Sequence, residues 1–270
     1  MLYFPPTGKR EMKVVAIIPA RYASVRFPGK VLAPIAGKPM IQRVWERATQ
    51  AREVSEVIVA TDHERVAEAV AGFGGRVIMT APDRATGTER VAEAADKIEA
   101  DVIINVQGDE PIIAPDSLDL VVQPFLDDDT APVTSLMFPI ESFAEYMDPN
   151  VVKVICDASD NAIYFSRSPI PHYRDGRELI EQWEKQGKRP AGLKPGPMKH
   201  IGVYAYRADF LQALVRMPVS ELEEAERLEQ LRVLAWGFHI KMVATPHDSI
   251  SVDVPADVAR VEAVIAKLKL

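Results

Sequence analysis

Short apolar segments alternate with amphipathic segments along the first half of the chain. The mostly apolar runs predict four buried strands, at Val14–Pro19, Val57–Ala60, Val77–Met79 and Val102–Val106. Apolar side chains at helical spacing predict helices between them, at Pro39–Ala51, His63–Phe73 and Thr88–Ile98. Strands that are apolar along their whole length are buried on both faces, so the pattern predicts an α/β protein with a mostly parallel sheet sandwiched by helices.

The alternation loosens in the second half. Further helices are predicted at Pro115–Leu126, Leu179–Lys185, Ser220–Trp236 and Pro255–Leu268. Further strands are predicted at Val133–Phe138, Val151–Cys156, Ala162–Ser166, Lys199–Arg207, Ile240–Ala244 and Ser249–Asp253. We therefore expect a loose N-terminal arm over residues 1–12 and a single domain over 13–270, with a smaller sheet elaboration in its second half.

Polar clusters follow three of the predicted parallel strands. Arg21–Lys30 follows the first strand, Thr61-Asp62 the second, and Gln107–Pro111 the fourth. Ligands of open α/β sheets bind beyond the carboxyl ends of the strands. The three clusters should therefore meet at one edge of the sheet.

The loop after the first strand has the composition of a polyanion site. Arg21, Arg26 and Lys30 supply positive charge, and Gly29 permits a close approach of the backbone. The glycine spacing fits neither the P-loop nor the dinucleotide-binding fingerprint. The alternative is a solvated basic turn, which the position directly after a buried strand disfavours.

Two aspartates at strand ends, Asp109 and Asp253, are candidates for a divalent ion that bridges phosphates. Either one alone could equally be a turn or cap residue. Thr86-Gly87-Thr88 opens a helix, where an anion or a base edge could meet backbone amides, and a simple N-cap is the alternative.

A later strand and helix carry a second set of polar candidates. His200, Tyr204 and Tyr206 lie at even spacing and should face the same side of their strand, although a lone strand histidine is more often structural. Glu229 lies near an apolar helix stripe and could point inward.

Bulk composition limits the function classes. The net charge of -7 and the pI near 5.4 argue against a general nucleic-acid binder, because phosphate-backbone binding requires a basic face. The single cysteine, Cys156, fits a reducing compartment, and no apolar run reaches membrane-spanning length. We expect a cytoplasmic protein with no nucleic-acid or membrane partner.

Eight blocks together resemble the 3-deoxy-manno-octulosonate cytidylyltransferase (CMP-Kdo synthetase) family over Val14 to Val261. They are IIPARYASVRFPGK, GKPMIQ, VATD, NVQGDEP, YFSRSPIP, KHIGVYAYR, RLEQLR and SVDVP. The resemblance implies a nucleotide-diphospho-sugar-transferase-like α/β fold. It also implies that the acid sugar Kdo is activated with CTP to give CMP-Kdo and pyrophosphate, with Mg²⁺, for lipopolysaccharide core synthesis. Members of the family are cytoplasmic and usually dimeric.

The resemblance also implies residue roles. The triphosphate of CTP would be held by Arg21, Ser24, Arg26 and Lys30, and its cytosine and sugar side by Thr86, Gly87, Thr88 and Gln107. Magnesium would be bound by Asp109 and Asp253, which with Lys30 form the catalytic set. The eight-carbon acid sugar would contact Arg167, His200, Tyr204, Glu229 and Gln230.

Two positions depart from the family pattern. The chain has T-G-T-E-R where the family commonly has S-G-T-D-R, and His63 stands where the family has an aspartate. Two alternative functions stay open at this point. One is a cytidylyltransferase for a related acid sugar such as 8-amino-Kdo, and the other is a non-catalytic CTP-binding regulator.

Overall fold

The protein is built on one nine-stranded mixed sheet with helices on both faces. The computed structural model describes residues 12–23, 27–127, 130–268 and 270. In spatial order the principal strands are Ile240–Ala244, Val133–Pro139, Met198–Arg207, Val102–Asn105, Val14–Ala20, Glu56–Thr61 and Arg76–Met79, and the pair Lys153–Cys156 and Ala162–Ser166 is attached through Met198–Arg207. The predicted α/β class with a mostly parallel core is confirmed.

The elements follow in chain order. The strands are β1 (Val14–Ala20), β2 (Pro34–Ile35), β3 (Lys38–Pro39), β4 (Glu56–Thr61), β5 (Arg76–Met79), β6 (Val102–Asn105), β7 (Val133–Pro139), β8 (Lys153–Cys156), β9 (Ala162–Ser166), β10 (Met198–Arg207) and β11 (Ile240–Ala244). The helices are α1 (Met40–Ala48), α2 (Glu64–Gly72), α3 (Gly87–Ala95), α4 (Pro115–Leu126), α5 (Phe143–Met147), α6 (Arg177–Gln186), α7 (Ala208–Leu214), α8 (Glu221–Glu226), α9 (Leu231–Ala235) and α10 (Pro255–Leu268). None of the helices in the described ranges has the length and apolar character needed to cross a membrane.

The first strand shows why its sequence is apolar throughout. Val14, Ala16 and Ile18 point into one core, which includes side chains of α1, α2 and α4. Val15 and Ile17 point into a second core on the opposite face, which includes side chains of α3, α7 and α9. Because side chains alternate along a strand, two buried faces require an unbroken apolar run.

One long strand reverses the direction of the sheet. β10 pairs antiparallel with β6 on one side and with β7 on the other, while β6, β1, β4 and β5 pair in parallel. Its register with β7 shifts between Ile201 and Tyr204. This irregular stretch lies beside the polar turn that follows β6, so β10 brings a second set of side chains to the edge predicted for ligands.

The predicted single helix Ser220–Trp236 is wrong. The chain forms α8 and α9 instead, and Arg227 between them has the left-handed φ of 54°. A left-handed residue ends an α-helix. The Ser220 hydroxyl accepts from the amide of Glu223, which confirms the predicted helix start.

Other boundaries also differ from the sequence predictions. Ser249–Asp253 contains no strand, and its backbone meets the sheet edge through a hydrogen bond from Val252 N to Asp109 O at 2.9 Å. The sequence patterns did not predict α5, α7 or the β2–β3 hairpin, which are short. Residues 1–11 of the predicted arm lie outside the described residues, and Met12 packs partly buried against the core. The single-domain boundary at 13–270 stays a prediction.

The segment from 169 to 197 carries α6 and shares a small separate core with the residues around α5. Ile140, Tyr146, Trp183 and Leu193 are buried together. Trp183 is fully buried, and its indole N–H donates to Glu141 O at 2.8 Å. This segment is therefore anchored by one buried tryptophan.

We expect Trp183→Ala to lower the free energy of unfolding by about 3–5 kcal/mol, because it removes a fully buried aromatic side chain and leaves a cavity. Urea denaturation measures the change. Trp236→Ala is the matched control, since Trp236 is half exposed, and its cost should be within about 1 kcal/mol. Equal losses for the two variants would contradict the assignment of Trp183 as the anchor.

Candidate active site

Three distant parts of the chain meet at one ammonium group. The Nζ of Lys30 lies 2.6 Å from Asp109 Oδ2 and 3.6 Å from Asp253 Oδ1. It also donates to the backbone carbonyl of Val252 at 3.3 Å. We call Lys30, Asp109 and Asp253 the Lys30 cluster. The three residues predicted to act on phosphate and metal are therefore neighbours.

Backbone packing positions the Lys30 cluster. A Cβ on Gly108 would lie 2.7 Å from the carbonyl oxygen of Pro19, so only glycine permits the turn after β6 to approach the end of β1 this closely. Val252 is fully buried among Ile35, Met40 and side chains of α10. This apolar anchor holds Asp253 beside the turn that carries Asp109.

The two carboxylates of the Lys30 cluster suit a divalent ion. Among residues 12–23, 27–127, 130–268 and 270, no group of three or more His, Cys, Asp and Glu side chains could hold a metal alone. Mg²⁺ commonly takes only one or two carboxylates and fills its remaining positions with water and phosphate oxygens. The chain already directs Asp109 and Asp253 at one cation, the Lys30 ammonium. The donor set fits Mg²⁺ bound together with a polyphosphate.

The opening loop and the Thr86-Gly87-Thr88 turn are also joined. The Arg21 guanidinium donates to Ala85 O at 2.6 Å, directly before the turn. Thr86 caps α3, and its hydroxyl accepts from the amide of Glu89 at 3.1 Å. The predicted N-cap is thus present, and Arg21 lies beside it. Ser24 and Arg26 lie outside the described residues.

A hydrogen bond connects the predicted nucleotide side with the predicted sugar side. The Thr88 hydroxyl donates to Glu229 Oε2 at 2.5 Å. Burial raises the pKa of Glu229, although hydrogen bonds from Thr88 and Thr86 oppose the shift. Gln230, the next residue, is buried. Glu229 therefore points inward as predicted, toward the N-terminus of α3.

The aromatic face of β10 is continuous. The ring centroids of His200 and Tyr204 are 5.2 Å apart, and those of Tyr204 and Tyr206 are 5.8 Å apart. The three rings share one side, as the spacing predicted. Burial raises the pKa of both tyrosines well above the usual value, so both phenols are neutral at physiological pH.

His200 is hydrogen-bonded to a buried serine. The Ser135 hydroxyl lies 2.9 Å from His200 Nε2 and 2.8 Å from Val203 O. Ser135 therefore fixes the orientation of the imidazole, and the tautomer decides which of the two groups donates. Desolvation of the ring lowers the pKa of His200 to about 3, which keeps the imidazole neutral at physiological pH.

Arg167 and Gln107 complete the set of predicted residues. The Arg167 guanidinium donates from Nε to Glu226 O at 2.7 Å and from Nη1 to Pro149 O at 3.0 Å. Gln107 donates to Gly202 O at 3.3 Å, in the irregular stretch of β10. Gln107 thereby joins the turn after β6 to the strand that carries His200 and Tyr204.

The second strand-end cluster, Thr61-Asp62, is linked to α3 through an ion pair. Asp62 Oδ2 lies 3.0 Å from the guanidinium of Arg90, which is fully buried on α3. His63 caps α2 by accepting from the amide of Arg65, and its ring stacks on Tyr22 with a centroid distance of 4.0 Å. These contacts support neighbouring elements and give His63 a structural role at a position where the family commonly has aspartate.

Sequence reasoning missed Glu110. Its carboxylate is buried and accepts from the Ser249 hydroxyl at 2.6 Å. Burial, together with the nearby Asp109 and Asp248, raises its pKa to about 7 despite the Ser249 hydrogen bond. Glu110 borders a cleft of about 610 Å³ that also reaches His200 and Asp253. The Gln-Gly-Asp-Glu-Pro block could have indicated this residue as a candidate, because Glu110 lies between Asp109 and Pro111 and so belongs to the same polar turn.

Comparisons with known proteins identify the family to which this fold belongs. The cytidylyltransferase family model matches residues 15–240. A solved structure of CMP:2-keto-3-deoxy-manno-octonic acid synthetase complexed with CTP is 44% identical, with a TM-score of 0.85 over 95% of this chain and 99% of that one. The inositol-1-phosphate CTP transferase of T. maritima shares the fold, with a TM-score of 0.65 at 12% identity. Fold and site thus define a cytidylyltransferase.

Curated relatives identify which family of cytidylyltransferases includes this chain. The 3-deoxy-manno-octulosonate cytidylyltransferase of Geobacter metallireducens is 50% identical over 96% of this chain and all of that protein. The enzyme of the same name from Geobacter sulfurreducens is 49% identical over 96% of this chain. The chain belongs to the 3-deoxy-manno-octulosonate cytidylyltransferase family, and the resemblance identified from the sequence blocks is confirmed.

Glu110 should make the stability of the metal-free protein depend on pH. A carboxyl whose pKa is raised on folding stabilises the fold fully below its unfolded pKa, near 4.5, and loses that contribution as pH rises through about 7. We therefore compare the free energy of unfolding of Glu110→Gln with that of the unchanged protein. The difference should shift in favour of the variant by up to about 3 kcal/mol as pH rises from 4.5 to 8.

Urea denaturation in a chelating buffer at several pH values measures this difference. Glu68→Gln, which changes an exposed glutamate on α2, should show little pH-dependent difference. If the Glu110→Gln difference stayed constant between pH 4.5 and 8, the buried carboxyl would not have the raised pKa.

Proposed function

We propose that this chain activates 3-deoxy-D-manno-octulosonate (Kdo) with CTP, giving CMP-Kdo and pyrophosphate. The observation that carries the proposal is the Lys30 cluster, in which one ammonium meets Asp109 and Asp253. Family membership supports CTP as the nucleotide and Kdo as the acceptor. The hydrogen bond between Thr88 and Glu229 supports adjacent nucleotide and sugar sites.

The proposed reaction is an in-line displacement at the α-phosphorus of CTP. The anomeric hydroxyl of Kdo forms the new P–O bond and loses its proton, and pyrophosphate leaves with the electrons of the bond that breaks. Such a transfer is catalysed mainly by positioning and by neutralising charge. No covalent enzyme intermediate is required.

The residues divide between two tasks. Lys30 and Arg21 neutralise and orient the triphosphate, and we include Ser24 and Arg26 with them on the family motif. Thr86, Gly87, Thr88 and Gln107 line the cytidine side. Asp109 and Asp253 would hold Mg²⁺, which when bound supplies charge neutralisation on the phosphates.

The second task is to hold the acid sugar. His200, Tyr204, Glu229 and Gln230 present neutral rings and buried polar groups, which suit hydroxyl recognition by hydrogen bonds. Arg167 supplies the positive charge for the sugar carboxylate. We further propose a cytoplasmic homodimer without a nucleic-acid partner, whose product serves lipopolysaccharide core synthesis.

Incubation of the purified protein with CTP, Kdo and Mg²⁺ should release pyrophosphate, and a chelator should stop the release. Pyrophosphate and CMP-Kdo are measured together. Competition between Kdo and 8-amino-Kdo at limiting CTP identifies the preferred acceptor. CTP binding without turnover of either sugar would contradict the proposed function and favour a regulator.

Asp109→Asn and Asp253→Asn should each lower kcat by at least about 10-fold, because loss of a metal ligand costs no less than loss of a residue that only supports a ligand. Asp116→Asn is the control, since Asp116 is exposed on α4 and outside the Lys30 cluster. Near-normal turnover of either cluster variant would show that its carboxylate is not a metal ligand.

A further inference from the structure

A glutamate outside the predicted site joins β9 to the end of α8. The Glu226 carboxylate accepts from the Ser166 hydroxyl at 2.6 Å and from the amide of Arg167 at 2.9 Å. Both donors lie at the end of β9, about sixty positions earlier in the chain. The contact therefore fixes the end of α8 against one strand end.

The contact is reciprocal. Arg167 donates from Nε to the backbone carbonyl of Glu226 at 2.7 Å and from Nη2 to that of Arg227 at 3.4 Å. Carbonyls at a helix end have no partner within the helix. Arg167 thus satisfies the carbonyls at the place where the left-handed Arg227 turns the chain.

The turn held in this way leads directly to the predicted sugar residues. Glu229 and Gln230 follow Arg227 after two and three positions, and Glu229 contacts Thr88. A second pair stabilises the turn, because Glu223 on α8 and Arg232 on α9 form a nearly buried ion pair at 2.6 Å. The direction in which Glu229 points depends on how this turn is docked.

Arg167 is also held from its other side. The ammonium of Lys153, which is fully buried, donates to the carbonyl of Arg167 at 2.7 Å. The Glu226 carboxylate is ionised at physiological pH: burial alone would raise its pKa, but the hydrogen bonds from Ser166 and Arg167 lower the pKa overall. Hydrogen bonds to an ionised acceptor are the stronger kind.

We propose that Glu226 is a positioning residue for the acid-sugar site. It holds Arg167 and the turn before Glu229 in one arrangement. Glu226 acts through Arg167 and this turn and does not itself contact the sugar. The inference rests on the proposed function, since it assigns Glu226 to the sugar side of the proposed reaction.

Steady-state kinetics of Glu226→Ala provide the test. The KM for Kdo should rise between about 10- and 100-fold, the size of effect that a small displacement of site residues produces, while the KM for CTP changes less than about twofold. Ser166→Ala, which removes one of the donors to the Glu226 carboxylate, should shift the KM for Kdo in the same direction by a smaller factor.

Two variants separate positioning from general damage. Glu226→Gln keeps one acceptor oxygen for the Arg167 amide and should recover part of the KM for Kdo. Glu224→Gln changes an exposed glutamate of the same helix and should leave both KM values unchanged. An unchanged KM for Kdo in Glu226→Ala, or an equal rise in both KM values, would overturn the proposal.

Hydrogen exchange of residues 227–230 without substrates gives a readout that does not need turnover. Glu226→Ala should speed exchange there, and Glu224→Gln should not. If the unchanged protein showed no turnover with Kdo, the proposed function would fail. Unchanged exchange in Glu226→Ala would instead show that Glu226 does not hold the turn.

Discussion

The site depends on one electrostatic constraint, the placement of the Lys30 ammonium between carboxylates from two distant segments. Asp109 is supplied by the turn after β6 and Asp253 by the chain just before α10. Two carboxylates at close range repel each other, and a partly buried cation between them offsets that repulsion. The same arrangement is suited to a polyphosphate with its metal, since both would meet matched charges at one place.

Much of the nucleotide side could be predicted from the sequence, because it follows from a general property of parallel sheets. Strands that run in parallel end at the same edge, so polar clusters after β1 and β6 had to meet. The prediction needed only the apolar runs and the residues that follow them. The contact between Lys30 and Asp109 confirms this reasoning at the level of single atoms.

The sugar side was less accessible to sequence reasoning, because its geometry depends on long-range contacts. Apolar spacing predicted one helix from Ser220 to Trp236, and no local signal marks Arg227 as left-handed. Its carbonyl accepts from Arg167, which is distant in sequence. Glu110 was missed for a similar reason. Its hydrogen bond comes from Ser249, and the charge of Asp248 helps to raise its pKa; both residues belong to a segment that forms no strand. For the sugar side, the family resemblance identified the candidate residues, and the structure shows their contacts.

The buried anchor at Val252 has a consequence for how the protein is made. Val252 packs with Ile35, Met40 and α10, so the N-terminal hairpin and the C-terminal helix must both be present before Asp253 can take its position. Synthesis proceeds from the N-terminus, and all strands of the sheet precede Val252 and α10 in the chain. A nascent chain can therefore pair most of its sheet strands before the Lys30 cluster is complete, because Asp253 is fixed only once α10 has packed on the hairpin.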